Sequence, residues 1–180
     1  MTVPVIVPAW IIGDGAVPFP ADGEQISYAV AFTPVLSEEG SETIVSSTVV
    51  ATPTAGDGDK RTVLHFPSFD AVTRLDEPAE GTIEVRGELS VEYEMFVSTV
   101  RRLRGTVTRR RMMTELRRND VRDRPTLEFT DVRVPRVGFD TNMFGSMTID
   151  GNGLRMAPPT PPDDGVWRRD AGLLLDIRLD

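Results

Sequence analysis

Cysteine is absent from this 180-residue chain. With it go disulfides, thiolate nucleophiles, iron–sulfur clusters and every cysteine-based zinc site. Histidine occurs once, as His65, and lysine once, as Lys60. One histidine without cysteine gives no nitrogen-and-sulfur donor set for a transition metal. A Ser-His-Asp triad would have to use His65, and no G-x-S-x-G supplies its nucleophile. His65 lies in TVLHFPS between apolar neighbours, a setting that predicts a ring beside a strand, hydrogen-bonded to backbone. Lys60 follows no G-x-x-x-x-G, and no G-x-G-x-x-G opens a helix, so neither phosphate-cradling loop is present. The acidic turns fail as calcium loops: Arg61 breaks the alternation after Asp57 and Asp59, and Leu154 breaks it after Asp150 and Asn152. Neither metal nor cofactor is expected.

Long hydrophobic runs are missing too. MTVPVIVPAWII is apolar but is interrupted by Pro4 and Pro8 and carries no basic residue. It is too short to span a bilayer and does not read as a signal peptide, so it is expected to form the first strand or two short strands. No membrane contact is expected, and the lack of disulfide staples points to the cytoplasm.

What is present alternates with a period of two. From Ile83 to Met95 the odd positions are Ile83, Val85, Gly87, Leu89, Val91, Tyr93 and Met95; the even ones are Glu84, Arg86, Glu88, Ser90, Glu92 and Glu94. That pattern is a long strand with one wet face, and Gly87 predicts a bulge or bend in it. ISYAVAF, TIVSSTVVA, TVLHF, SMTID and LLLDIRL read as further strands, with ADG, SEEG, GDGD and DGNG as turns between them. TLEFTDVRV changes parity after Phe129, predicting a bulge near Thr130–Asp131. SFDAVTRLDEP and MMTELRRND are the two spans that could be short helices, the first equally well extended. APPTPPDDG, residues 157–165, reads as a proline-rich surface loop. The expectation is a single all-β domain over 1–180: an antiparallel barrel or sandwich with one long bent hairpin from about 83 to 112 and at most one or two short helices.

Charge is unevenly spread. Residues 1–60 hold one lysine against eight carboxylates, a net −7, whereas 101–124 hold ten arginines against three carboxylates, a net +7. The whole chain carries −8, which leaves −15 outside the arginine run. RRLRGTVTRR alternates as a strand, and a hairpin with the acidic strand would set Glu88, Glu92 and Glu94 against Arg102, Arg104 and Arg110 as a structural ion-pair face. Arg109, Arg111, Arg117, Arg118, Arg122 and Arg124 then remain as a candidate contact surface. Between Val97 and Leu127 there is no aromatic residue to stack on a base, and the acidic remainder would repel a polyanion.

Three functions follow in order. The first is a non-enzymatic cytosolic interaction module that binds another protein or itself. The second is a nucleic-acid or phosphate binder acting through Arg109 to Arg124. The third is a hydrolase built on paired carboxylates, for which no catalytic residue is nominated; Trp10 and Trp167 are aromatics that could stack on a sugar.

The opening also carries a resemblance. Trp10 followed by GDGAVPFPADGEQISYAVAF resembles the start of a group of small uncharacterised bacterial proteins, which show a tryptophan, a Cys-Cys-Gly-x-Pro-Phe element and a Gly-Asp turn into a strand. The later RLRGTV fits the same pattern. The match here is Pro18-Phe19 and Asp22-Gly23, with Ala16 and Val17 near the place of the cysteines. The resemblance implies a compact β domain and no function, and the missing cysteines put any shared thiol or metal role in doubt.

Overall fold

The structure is a computed structural model. It describes residues 1–35, 42–54, 61–75, 77–93, 100–118, 126–132, 147–150, 153–156 and 163–180, with the side chains of 118, 147–150 and 153–156 outside that set. Nearly everything described is strand: β1 (Thr2–Pro8), β2 (Gln25–Tyr28), β3 (Val30–Pro34), β4 (Ile44–Pro53), β5 (Arg61–His65), β6 (Asp70–Arg74), β7 (Gly81–Val91), β8 (Leu103–Arg118), β9 (Thr126–Asp131), β10 (Met147–Asp150), β11 (Gly153–Met156) and β12 (Val166–Leu179). A five-residue helix, α1 (Ala9–Gly13), ends the apolar opening that had been expected to be strand throughout. Pro8 supplies the break: its fixed φ of −60° suits the N-cap, where a backbone donor is not needed.

Ten strands form one sheet in the order β2-β8-β12-β1-β7-β3-β6-β5-β4, with β9 on the outer edge of β8. A further pairing of β4 with β7 closes β3, β6, β5, β4 and β7 into a five-stranded barrel. On the other side, β2 and β3 are adjacent in sequence and separated only by Ala29. β2 pairs with β8 and β3 pairs with β7, so the remaining sheet curls back on its own beginning. β10 and β11 pair with each other.

The all-β class is as expected, but β7 and β8 are not hairpin partners. β1 and β12 lie between them. The reason is apolar content. β1 buries Val3, Val5 and Val7, and β12 buries Leu173, Leu174, Leu175 and Ile177. Leu173, Leu174 and Leu175 are consecutive and point to both faces, and all three are fully buried, so β12 is covered on both faces. Each such side chain contributes roughly 1.5–3 kcal/mol on burial. An edge position for either strand would expose an unpaired apolar ladder.

The structure also decides several finer expectations. MMTELRR is not helical: it continues β8, paired with β12 on one side and β9 on the other. Met, Glu, Leu and Arg favour helix only weakly, and two ladders of tertiary pairing override them. SFDAVTRL resolves as extended, forming β6. The β8–β9 ladder runs in unbroken register through Asp131, so no bulge occurs there. Gly87 is not a bulge either. It faces Pro34 on β3 and Val45 on β4 in regular register, at the corner where β7 serves both halves of the sheet. Most of the proline-rich loop lies outside the described residues; Asp163–Gly165 form a turn into β12. Among the described residues no helix is long and apolar enough to cross a membrane.

Candidate functional site

Arg109, Arg110, Arg111 and Arg117 of β8 are neutralised, but by other acids than those of β7. Arg109 meets Asp131 through Nε (2.8 Å) and Nη2 (3.3 Å). Arg110, with a side chain only 5% exposed, donates from Nε to Asp22 (3.1 Å) and from Nη1 to the carbonyl of Pro20 (2.9 Å). Arg111, equally buried, donates to Asp176 (2.7 Å), pairs with Glu42 and lies 5.9 Å over the Phe129 ring; its Nε has no partner among the described residues. Glu115 is buried between Arg117 (2.7 Å) and Arg169. Arg102 donates to the carbonyl of Ser27 (2.6 Å), and Arg104 sits opposite Ser27 on the exposed face.

The expected face of Glu88, Glu92 and Glu94 against Arg102, Arg104 and Arg110 is therefore not formed across a β7–β8 ladder. Glu88 instead accepts from the Thr43 hydroxyl (2.5 Å), and Glu92 accepts from the Tyr93 N–H (2.9 Å). Glu94, Arg122, Arg124 and the side chain of Arg118 lie outside the described residues. Of the expected contact surface, Arg109, Arg111 and Arg117 already hold carboxylates.

His65 differs from expectation in its partners, which are side chains. The β5–β6 register sets it directly opposite Asp70. Its Nδ1 lies 3.0 Å from Asp70 Oδ1 and its Nε2 lies 3.2 Å from the Thr52 hydroxyl. An ionised carboxylate only accepts, so Nδ1 carries the proton and, in the neutral ring, Nε2 accepts from Thr52. Asp70 is also held by Arg101, through its backbone N–H (2.9 Å), Nε (3.2 Å) and Nη2 (2.9 Å). Hydroxyl, imidazole and carboxylate stand in the order of a general-base relay. Thr52 and His65 line neither the cavity beside Ala31, Val72 and Arg74 nor the one beside Leu64, Leu75 and Ile83. The cluster pins β4, β5, β6 and the start of the β8 segment together.

Burial pushes the carboxyls of Glu115 and Asp70 up. Hydrogen bonds outweigh it, from Arg117 and Arg169 for the first and from Arg101 and His65 for the second, and both groups end below the usual carboxylate value. In the unfolded chain they titrate near about 4. The unfolded state then binds more protons, so stability rises with pH through this range. The contribution is complete above about pH 5 and is lost as pH falls through the folded values. Urea midpoints measured from about pH 6 down to about pH 2.5 are expected to fall on the acid side, and less steeply in a Glu115→Gln/Asp70→Asn variant. An identical acid slope in both proteins would contradict these pairings.

A different face stands out by exposure. Trp10 on α1 is 49% exposed, one of few large apolar side chains so placed among the described residues. Its ring packs at 5.1 Å and 56° against Tyr93, whose hydroxyl donates to Asp14 (2.5 Å). Asp14 is the C-cap residue of the same helix. The tryptophan is thus held at the surface by an aromatic neighbour that a carboxylate fixes in turn.

Sequence reasoning missed Thr52 and Asp70 as partners of His65 and Arg101 as a partner of Asp70, and it missed Arg61 and Arg74, which face each other across β5 and β6. One signal was available: HFPSFD is a short turn flanked by two strands, and reading it as a hairpin places His65 opposite Asp70. Comparison with family models, with curated proteins and with solved structures finds no match to this chain.

Proposed function

We propose that the chain is a non-enzymatic binding module acting in the cytoplasm, and that it grips a cationic segment of another protein with the Trp10 face. The observation that carries this reading is the half-exposed Trp10, ordered by Tyr93 and flanked by Asp14. Tryptophan and tyrosine dominate the energetics of protein contacts, and an arginine or lysine over an indole ring gains from both its π face and a nearby carboxylate. The strongly acidic first third of the sequence, which contains both Trp10 and Asp14, favours a basic partner. Against a polyanion-binding reading, Arg109, Arg110, Arg111 and Arg117 hold internal acids, and a phosphate would have to displace them.

The test uses Trp10 fluorescence in a Trp167→Phe background, titrated with an arginine–glycine peptide and with a glutamate–glycine peptide at low salt. The arginine peptide is expected to give a saturable change that weakens about tenfold in Asp14→Asn, a loss typical of one charge-assisted contact. Equal response to both peptides, or none to the arginine peptide, would sink the reading. Sedimentation of the free protein separates self-association from binding to a second protein.

A further inference from the structure

We infer that the mouth of the five-stranded barrel binds a small uncharged molecule, an apolar body of one ring carrying a carbonyl oxygen that accepts from Thr73. This site is separate from the Trp10 face and does not depend on it. The mouth holds a cavity of about 270 Å³, walled by Phe32 on β3, Leu64 on β5, Thr73 on β6, and Ile83 and Val85 on β7. Barrel mouths are among the preferred places for small-molecule sites. An apolar cavity of about 150 Å³ admits benzene, so this one has room for a ring with a short substituent.

Strand parity shows where the packed core stops. Along β7 the inward positions are Val91 and Leu89, 2% and 0% exposed, then Gly87 without a side chain, then Val85 and Ile83, which are only half-buried. The core therefore ends at Leu89, and the last two inward side chains keep apolar surface uncovered at the mouth. Phe32, 3% exposed and packed against Phe66, closes the cavity toward the core. Glu84 and Arg86 border it as one acid and one base, and no other lining residue is charged. A charged ligand would leave water for walls that offer no net opposite charge, at a cost an uncharged one avoids.

Thr73 sets what the ligand must carry. It shares parity with Ala71, which is fully buried in the core, and it opposes Thr62 across the β5–β6 ladder. Its side chain therefore points into the barrel, away from the face that carries Arg74. It is 2% exposed, and its hydroxyl has no hydrogen-bond partner among the described residues. Thr62 is buried in the same layer, but its hydroxyl accepts from the Ala79 N–H (3.3 Å). A buried polar atom without a partner is uncommon in native proteins and costs stability until it is satisfied. A threonine hydroxyl can donate, and a carbonyl oxygen takes that proton without bringing a donor of its own among apolar walls.

The experiment is titration calorimetry and thermal unfolding of the full chain with acetophenone, ethylbenzene and benzoate. Acetophenone is expected to bind saturably and raise Tm by mass action. Ethylbenzene has a similar shape without the oxygen and should bind about tenfold more weakly, the worth of one hydrogen bond. Benzoate should not bind. Thr73→Val keeps the shape of the side chain and removes the hydroxyl. It is expected to lose about tenfold in affinity for acetophenone and nothing for ethylbenzene, while its free form melts at or above the wild-type Tm because the unpaired group is gone. That combination separates a lost contact from a damaged fold. Val85→Phe, at a half-buried position, fills the mouth and should abolish binding of both neutral probes. The inference fails if acetophenone does not bind at up to about 10 mM, a weaker affinity than a ring of this size needs. It also fails if Thr73→Val binds acetophenone as the wild type does, or if Val85→Phe still binds it. Benzoate binding as tightly as acetophenone would overturn the assignment to an uncharged ligand.

Discussion

Gly87→Ala is expected to destabilise the protein by about 3 kcal/mol, near the upper end for overpacking a closed core. A methyl group built on Gly87 would lie 2.2 Å from the carbonyl oxygen of Thr33 and 2.6 Å from Cζ of Phe32. The first contact is backbone and cannot rotate away. The second is the ring of a side chain only 3% exposed, packed 6.2 Å from Phe66. Gly87 is paired on both sides, to Pro34 and to Val45, so β7 cannot retreat from β3 without pulling β4 with it. Relief requires opening the barrel at its shared corner. Urea denaturation followed by circular dichroism checks this, with Gly13→Ala as comparison. Gly13 has open space around it and no positive φ, so its alanine variant should lie within about 0.5 kcal/mol of wild type. Two variants of equal stability would show that β7 is not clamped between two strands.

Asp176→Ala is expected to cost about 3 kcal/mol, and most of that is expected to return when Arg111→Met is added. Asp176 accepts from Arg111 Nη2 at 2.7 Å, and the guanidinium it serves is 5% exposed. Removing the acid leaves a buried cation with Glu42, which is itself largely exposed, and one donor, Nε, already has no partner among the described residues. Methionine keeps the stem of the side chain against Phe129 and removes the charge that lacks compensation. A double-mutant cycle by urea denaturation measures the coupling. If the double variant is less stable than Asp176→Ala alone, the loss comes from packing around Asp176, and the buried-charge account is wrong.

The legibility of this fold was uneven, for identifiable reasons. Alternation in Ile83–Val91 and Leu103–Val107 made β7 and β8 visible, because a half-buried strand writes its period into the sequence. Their neighbours were not visible. Alternating Glu on one strand and alternating Arg on the next satisfy an adjacent hairpin as well as they satisfy distant pairings, and local pattern holds no information on which strand intervenes. Apart from Glu115 within β8 itself, the acids that do neutralise β8 are Asp22, Glu42, Asp131 and Asp176; they are scattered over the chain and share no period. The Met112–Arg118 segment misled through its residue types, which suit a helix until β9 and β12 flank it. The opposed Arg61 and Arg74 follow from the same β5–β6 register as His65 and Asp70. Once the Phe66–Phe69 turn is taken as a hairpin, both pairs can be counted off the sequence. The placement of Trp10 at the surface could not be, since its neighbour Tyr93 arrives from the far end of β7.

The central seat of β1 also bears on how the protein is made. Thr2 to Pro8 pair with Arg178 to Gly172 along their whole length, and only Ile6 reaches β7. Val3, Val5 and Val7 therefore belong to a ladder whose main partner, β12, lies far along the chain and is made long after β1. Throughout synthesis that valine row is a sticky edge with nothing native to hold it, and its closure spans a very long loop. Pairing of such long range forms slowly, because the loop-closure entropy must be met before the ladder's contacts are gained.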